Sequence, residues 1–152
     1  MNKRKAYTAN TNNPLPQRAM FACVIIILLL AVTILANCRV FVTSGSSMAP
    51  TYVEGISLLA IRSYGEPEVG DVIFLKRNDI HCMKRVAFVA GQDVSAAGYE
   101  GYWGSNIIPE GYVYVLGDNT EHSNDSRNPE FGLVAITDIW GKPFDQRPKQ
   151  GS

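Results

Sequence analysis

The chain has 152 residues, 14 Lys and Arg against 14 Asp and Glu, and 46% hydrophobic residues, a length that allows one globular domain and little more. Lys3, Arg4, Lys5 and Arg18 precede a long apolar run and no acid does, so the remainder is net acidic, which argues against nucleic acid as a partner. Cys23, Cys38 and Cys82 form neither a disulfide framework nor a zinc pattern, and no metal or cofactor motif is present.

Residues 1–18 read as a polar, basic, disordered tail. From Ala19 to Ala36 the chain carries no charge, and Arg18 and Arg39 bracket the run. This predicts a membrane-spanning anchor over residues 19–38. Leu35-Ala36-Asn37-Cys38 faintly resembles a lipoprotein cleavage site, but Asn is poor before the cysteine. The run also exceeds the 7–15 apolar residues of a cleaved signal peptide. The basic tail keeps the N-terminus cytoplasmic, which places residues 39–152 on the outer face of the cell (inner) membrane.

Beyond the anchor the pattern becomes that of strands. Apolar runs fall at Ile56–Ile61, Val72–Leu75, Ile80–Ala90, Tyr112–Leu116 and Leu133–Trp140. Breaks at Tyr64–Pro67 and Gly70-Asp71 separate the first run from the second, those at Gly91–Asp93 and Pro109–Gly111 separate the third from the fourth, and a polar loop from Gly117 to Gly132 precedes the last. Tyr99, Tyr102 and Trp103 read either as an interfacial aromatic patch or as ordinary loop packing. Short strands between such breaks predict a mostly β, antiparallel domain after one transmembrane helix.

The stretch Ser44-Gly45-Ser46-Ser47-Met48-Ala49-Pro50-Thr51-Tyr52 offers three serines close after the anchor. A serine hydroxyl becomes a nucleophile only when a neighbouring base takes its proton. His81, His122 and Lys84 are the candidate bases. With Ile80–Ala90 extended, Ile80, Cys82, Lys84, Val86 and Phe88 share one face, and His81, Met83, Arg85 and Ala87 share the other. Lys84 is thus the one charge in an apolar row. A lysine is half neutral near pH 7 only if its surroundings disfavour the ammonium by roughly 4–5 kcal/mol relative to water, which full burial can supply. His122 falls in the polar loop. That loop fails as a calcium site, lacking the ligand spacing, the central Gly and the closing Glu. Its Asp and Arg residues can instead pair and fix it against the site.

Three segments resemble type I signal peptidases, in order. Ser47-Met48-Ala49-Pro50-Thr51 is similar to the family's serine box. Gly70–Phe74 with Met83-Lys84-Arg85-Val86 resembles the segment carrying its catalytic lysine. Gly117-Asp118-Asn119 with Ser123–Arg127 resembles its closing loop, and Phe131–Val134 and Gly141-Lys142 continue the likeness. The resemblance implies a Ser/Lys endopeptidase that removes signal peptides from exported preproteins, working on an antiparallel β fold with a shallow apolar cleft. It assigns Ser47 as nucleophile, Lys84 as general base, and Ser123 as the hydroxyl that hydrogen-bonds the lysine. Asp118, Asp125 and Arg127 become structural residues near the site, with Asp125 and Arg127 paired. It further implies extended substrates with small residues one and three positions before the cut, an oxyanion hole built on the Ser47 N–H, and membrane lipid and the export translocon as partners. Thr120 stands where the family commonly has arginine. Gly45 stands where some members have a hydroxyl completing the oxyanion hole, with Ser44 or Ser46 as substitutes. The short span from Lys84 to Gly117 fits the compact, single-anchor form. A processing peptidase dedicated to pilin or conjugation proteins, an anchored peptide-binding module without catalysis, and a Ser-His hydrolase are the competing readings.

Overall fold

The computed structural model describes residues 16–62, 65–77 and 79–149; Lys3, Arg4 and Lys5 lie outside them. Two compact units divide between Ala36 and Asn37. The first holds helix α1, Gln17–Asn37, the one helix among the described residues long and apolar enough to cross a membrane. At about 1.5 Å per residue its 21 residues span about 30 Å, the thickness of a bilayer core.

The second unit is built on a seven-stranded antiparallel sheet. Its strands are β1 (Cys38–Val42), β2 (Ser57–Arg62), β3 (Val72–Arg77), β4 (Ile80–Phe88), β5 (Tyr112–Leu116), β6 (Val134–Ala135) and β7 (Ile139–Pro143), in the order β1-β2-β7-β3-β4-β5-β6. The mostly β class with one N-terminal helix is thus as predicted. β3 explains why its sequence is uniformly apolar at Val72–Leu75: it is buried on both faces. Ile73 and Leu75 pack with Val86, Val113, Val115, Phe131 and Val134. Val72 and Phe74 pack with Met48, Tyr52, Leu58 and Ala60.

Strand β4 keeps its predicted alternation only as far as Val86. Cys82 and Val86 join the first cluster and Met83 the second. Between Val86 and Phe88 the pairing with β5 slips by one residue, so two β4 residues oppose one partner. Phe88 therefore packs with Tyr114 and Tyr99 in a third cluster and does not extend the row of Lys84 and Val86. Two further elements differ from the sequence reading, and the aromatic cluster takes one of its two readings, loop packing. The segment after the helix is itself a strand, β1, whose Phe41 stacks on Phe74 with centroids 4.4 Å apart. Leu133–Trp140 is split by a 3-10 turn at Ile136–Asp138 into β6 and the start of β7. Tyr99 and Trp103 pack against Tyr114, at 5.6 and 6.2 Å, leaving Tyr102 half exposed.

The chain after β7 folds back as a strap. Gln146 accepts from the Val72 N–H and donates to the Val72 carbonyl, pairing with β3 as a strand residue would. The Tyr52 hydroxyl donates to the Asp145 carbonyl and accepts from the Arg147 N–H, while the Arg147 guanidinium lies over the Tyr52 ring. Residues 145–147 are thereby tied to the serine-bearing loop.

Candidate active site

Ser47 sits on a loop closed at its neck by Thr43. The Thr43 hydroxyl donates to the Val53 carbonyl and accepts from the Ile56 N–H, and its backbone pairs with Gly55 and Ile56. Met48 and Tyr52 are buried beneath, so the loop is seated on its own apolar side chains. From the opposite side Asn119 fixes its backbone. The Asn119 N–H donates to the Ser47 carbonyl at 3.0 Å, and its side-chain amide donates to the Ser46 carbonyl at 3.1 Å. Asn119 belongs to the Gly117-Asp118-Asn119 motif, but the sequence gives it no role of its own. Its contribution rests on backbone carbonyls, which carry no sequence signal.

Lys84, at the centre of β4, is 4% exposed, and its Nζ donates to Ser47 Oγ at 2.9 Å. No carboxylate lies within ion-pairing distance of Nζ among the described residues. Burial pushes its pKa below the usual lysine range; Cys82 and Asp125 oppose that fall and Arg127 adds to it. Its neighbour Arg85 is treated differently, holding Asp118 through two hydrogen bonds of 2.7 and 2.6 Å. Arg85 is the partner that the sequence left unassigned; the pairing of β4 with β5 puts it opposite Leu116, just before Gly117-Asp118, and that pairing has no local signal in the sequence.

The loop from Gly117 to Gly132 is held at several points. Asp125 accepts from the Gly117 N–H and pairs with Arg127, whose guanidinium also donates to the Thr120 carbonyl. Burial pushes the Asp125 carboxyl up, but Arg127 and the Gly117 N–H outweigh it and hold the group below the ordinary range. Ser126 pairs with Val115 on β5. Gly117 is where the loop and the serine meet. A Cβ there would lie 2.5 Å from the Ser47 carbonyl oxygen and would overlap Ser123, so only glycine fits. Ser123 is packed at this junction with its hydroxyl buried and without a hydrogen-bond partner. It leans toward Asp125 closely enough to favour the carboxylate, but completes no bond by geometry. Nor does it bond Lys84.

Beside Ser47 lies a cavity of about 310 Å³, walled by Phe41, Met48, Tyr52, Phe74 and Met83. Ser44 and Gly45 line it too, whereas Ser46 is exposed outside it. Gly45 has φ of 80° and donates its N–H to Glu54. His81 lines the same cavity against Phe41 but makes no bond to Ser47, and His122 is an exposed loop residue. No cluster of His, Cys, Asp or Glu fit to hold a metal occurs among the described residues.

An apolar helix of bilayer length, followed in the chain by an antiparallel β domain with a serine and a buried lysine in contact beside an apolar cleft, has the architecture of a membrane-anchored protease. Comparison with known sequences makes this specific. The family model for signal peptidase, peptidase S26, matches residues 17–102 and 95–144, and the chain belongs to that family of type I signal peptidases. It is 34% identical over 122 residues to mitochondrial inner membrane protease subunit 1 of Schizosaccharomyces pombe, covering 69% of this chain and 75% of that protein. It is 29% identical over 127 residues to signal peptidase I of Bacillus licheniformis, covering 62% and 68%. A mitochondrial ATP-independent inner membrane protease subunit of Arabidopsis thaliana is 32% identical over 111 residues, covering 63% and 64%. The protein is a membrane protease of the signal-peptidase type.

Proposed function

We infer that the protein is a serine endopeptidase that removes signal peptides from exported preproteins, with Ser47 as nucleophile and Lys84 as general base. The observation that carries this reading is the 2.9 Å hydrogen bond between Ser47 Oγ and a lysine buried without a carboxylate partner. In its ammonium form Nζ donates along that line; once neutral, its lone pair accepts the Oγ proton along the same line. Oγ then attacks the scissile carbonyl carbon. The Lys84 ammonium returns the proton to the leaving nitrogen as the C–N bond breaks, leaving an ester on Ser47. Water attacks the ester carbon as Lys84 takes a proton from it, and the Lys84 ammonium passes that proton to Ser47 Oγ as the bond from Oγ to the acyl carbon breaks, so the signal peptide leaves as a carboxylic acid and both side chains are restored.

The Ser47 N–H donates to no group among the described residues and serves as an oxyanion donor. Ser44, lining the same cavity, supplies the hydroxyl that Gly45 lacks. Asp118 and Asp125, through Arg85 and Arg127, hold the loops in register. The cavity suits small apolar side chains before the cut, on an extended substrate. The catalytic domain works on the outer face of the membrane, with the N-terminus cytoplasmic and the lipid surface and the export translocon as its surroundings.

A preprotein with an Ala-x-Ala site tests the reading. Wild type should cleave it, and Ser47→Ala and Lys84→Ala should not. Full activity in either variant would overturn the mechanism, and an intact cellular role for both would favour a peptide-binding module. Loss of activity on replacing His81 and His122 would favour a Ser-His hydrolase.

A further inference from the structure

Two cavities meet at the Ser47–Lys84 contact. The one already described is bordered by Ser47 and not by Lys84. The other, about 320 Å³, is bordered by Lys84 and not by Ser47, and its walls include Arg77, Asn124, Glu130 and Phe131. Ile80 and Cys82 line both, so the partition between them is the start of β4 together with the two reacting side chains.

This partition has a chemical meaning that rests on the Ser/Lys reading. Ser47 Oγ attacks the carbonyl carbon, so the residues before the cut lie on the serine side. The proton that Lys84 gathers must pass to the leaving nitrogen, so that nitrogen comes within hydrogen-bond reach of Nζ. The chain attached to it continues from there. Lys84 is 4% exposed, and the space it borders is the second cavity.

The charges at the rim are unequal. The Arg77 guanidinium lies over the Phe131 ring at 5.5 Å, donates to the Phe131 carbonyl, and stands 4.0 Å from Asp138. Asn124 accepts from the Asn128 side chain. Glu130 is exposed, and its carboxylate has no ion pair among the described residues.

We propose that the second cavity receives the first residues after the scissile bond, the new N-terminus of the mature protein, and that Glu130 makes it favour a basic over an acidic side chain there. Ile80 and Phe131 supply the apolar wall, and the Glu130 carboxylate sets the polarity of the exit.

The test uses the full chain in detergent micelles and quenched peptides identical up to the cut, carrying Lys or Glu at the second and third positions after it. Wild type should prefer the basic peptide by about two- to five-fold in kcat/KM, the range expected of one exposed carboxylate. Glu130→Gln should bring the ratio close to one, and Glu130→Lys should invert it. An unchanged ratio in Glu130→Lys overturns the assignment. A second peptide pair, differing three residues before the cut, should keep its ratio in all three enzymes; an equal change there would mean that Glu130 acts on the whole site and would also overturn it. Ser47→Ala separates the two claims. Cleavage surviving in that variant removes the Ser/Lys reading and the subsite together, whereas Ser47-dependent cleavage with an unmoved ratio removes the subsite alone.

Discussion

Lys84 and Arg85 are consecutive residues of β4, and the two sides of that strand treat a cation in opposite ways. Arg85 reaches a carboxylate that meets it with two short hydrogen bonds, and that pair fastens the closing loop to the sheet. Lys84 is buried, hydrogen-bonds the Ser47 hydroxyl, has no ion pair among the described residues, and is driven toward its neutral form. A cation that serves as a fastener needs a counter-ion, because an unpaired buried charge is costly. A cation that serves as a base must be denied one, because a paired carboxylate would hold the proton on. Asp125 with Arg127 repeats the fastener arrangement, so the lysine is the exception in this site.

The largest expected effect comes from abolishing the distinction. Lys84→Arg keeps a cation of similar length but one that stays protonated at any working pH. Cleavage should fall by about three orders of magnitude or more, as when a member of a catalytic set is removed. Single-turnover cleavage of a preprotein measures it, and activity within ten-fold of wild type would dismiss a neutral lysine.

On the other side of the strand, Arg85→Ala should act on stability first. It leaves Asp118, with a side chain 1% exposed, as an uncompensated buried acid. A loss of about 3 kcal/mol is expected, the low end for breaking a buried pair since Arg85 retains some exposure, and thermal unfolding should drop by roughly 10 °C. A double cycle with Asp118→Asn isolates the pair, and coupling near zero would show that the contact is ornamental.

Lys84→Met should have the reverse effect. Replacing a group that is costly to bury by an apolar one of similar length should raise stability by about 1 kcal/mol or more while ending catalysis. The pH dependence follows the same sign. A lysine whose folded pKa lies below its unfolded one binds fewer protons when folded, so wild-type stability rises with pH between the two values. Lys84→Met should lack that rise in chemical denaturation at successive alkaline pH values.

The smallest effect belongs to the second fastener at acid pH. The Asp125 carboxyl is held below the ordinary range, so its contribution is fully present above about pH 3.9 and is lost as pH falls through its folded value. Melting temperature measured from pH 5 down to pH 2 should fall more steeply in wild type than in Asp125→Asn.

Much of this is legible in the sequence because it is local. The uncharged run announces the helix, and the Gly, Pro and Asp breaks divide most of the strands. The two-residue period of β4 is enough by itself to put Lys84 in an apolar row. Other features depend on partners distant in sequence. β1 carries Arg39 and Val40 exposed and starts directly after the helix, so Arg39 marks the end of the anchor while no alternation marks the strand. The slip at Ala87 arises from pairing with β5 and reverses the face of Phe88. The clamp of Asn119 on two backbone carbonyls, the pairing of Arg85 with Asp118, and the strap of Gln146 and Arg147 each join residues 33 or more positions apart, and their polar side chains are indistinguishable in composition from a solvated surface.

Lys84 acts as a base because it is buried and has no ion pair among the described residues. The most direct measurement is a titration of the Lys84 ε-methylene carbon by NMR, in full-length protein carrying labelled lysine, assigned by comparison with Lys84→Met. The midpoint should lie clearly below the ordinary lysine value of about 10.4 and match the ascending limb of kcat/KM against pH. A midpoint at or above that value, with cleavage intact, would contradict that role for Lys84.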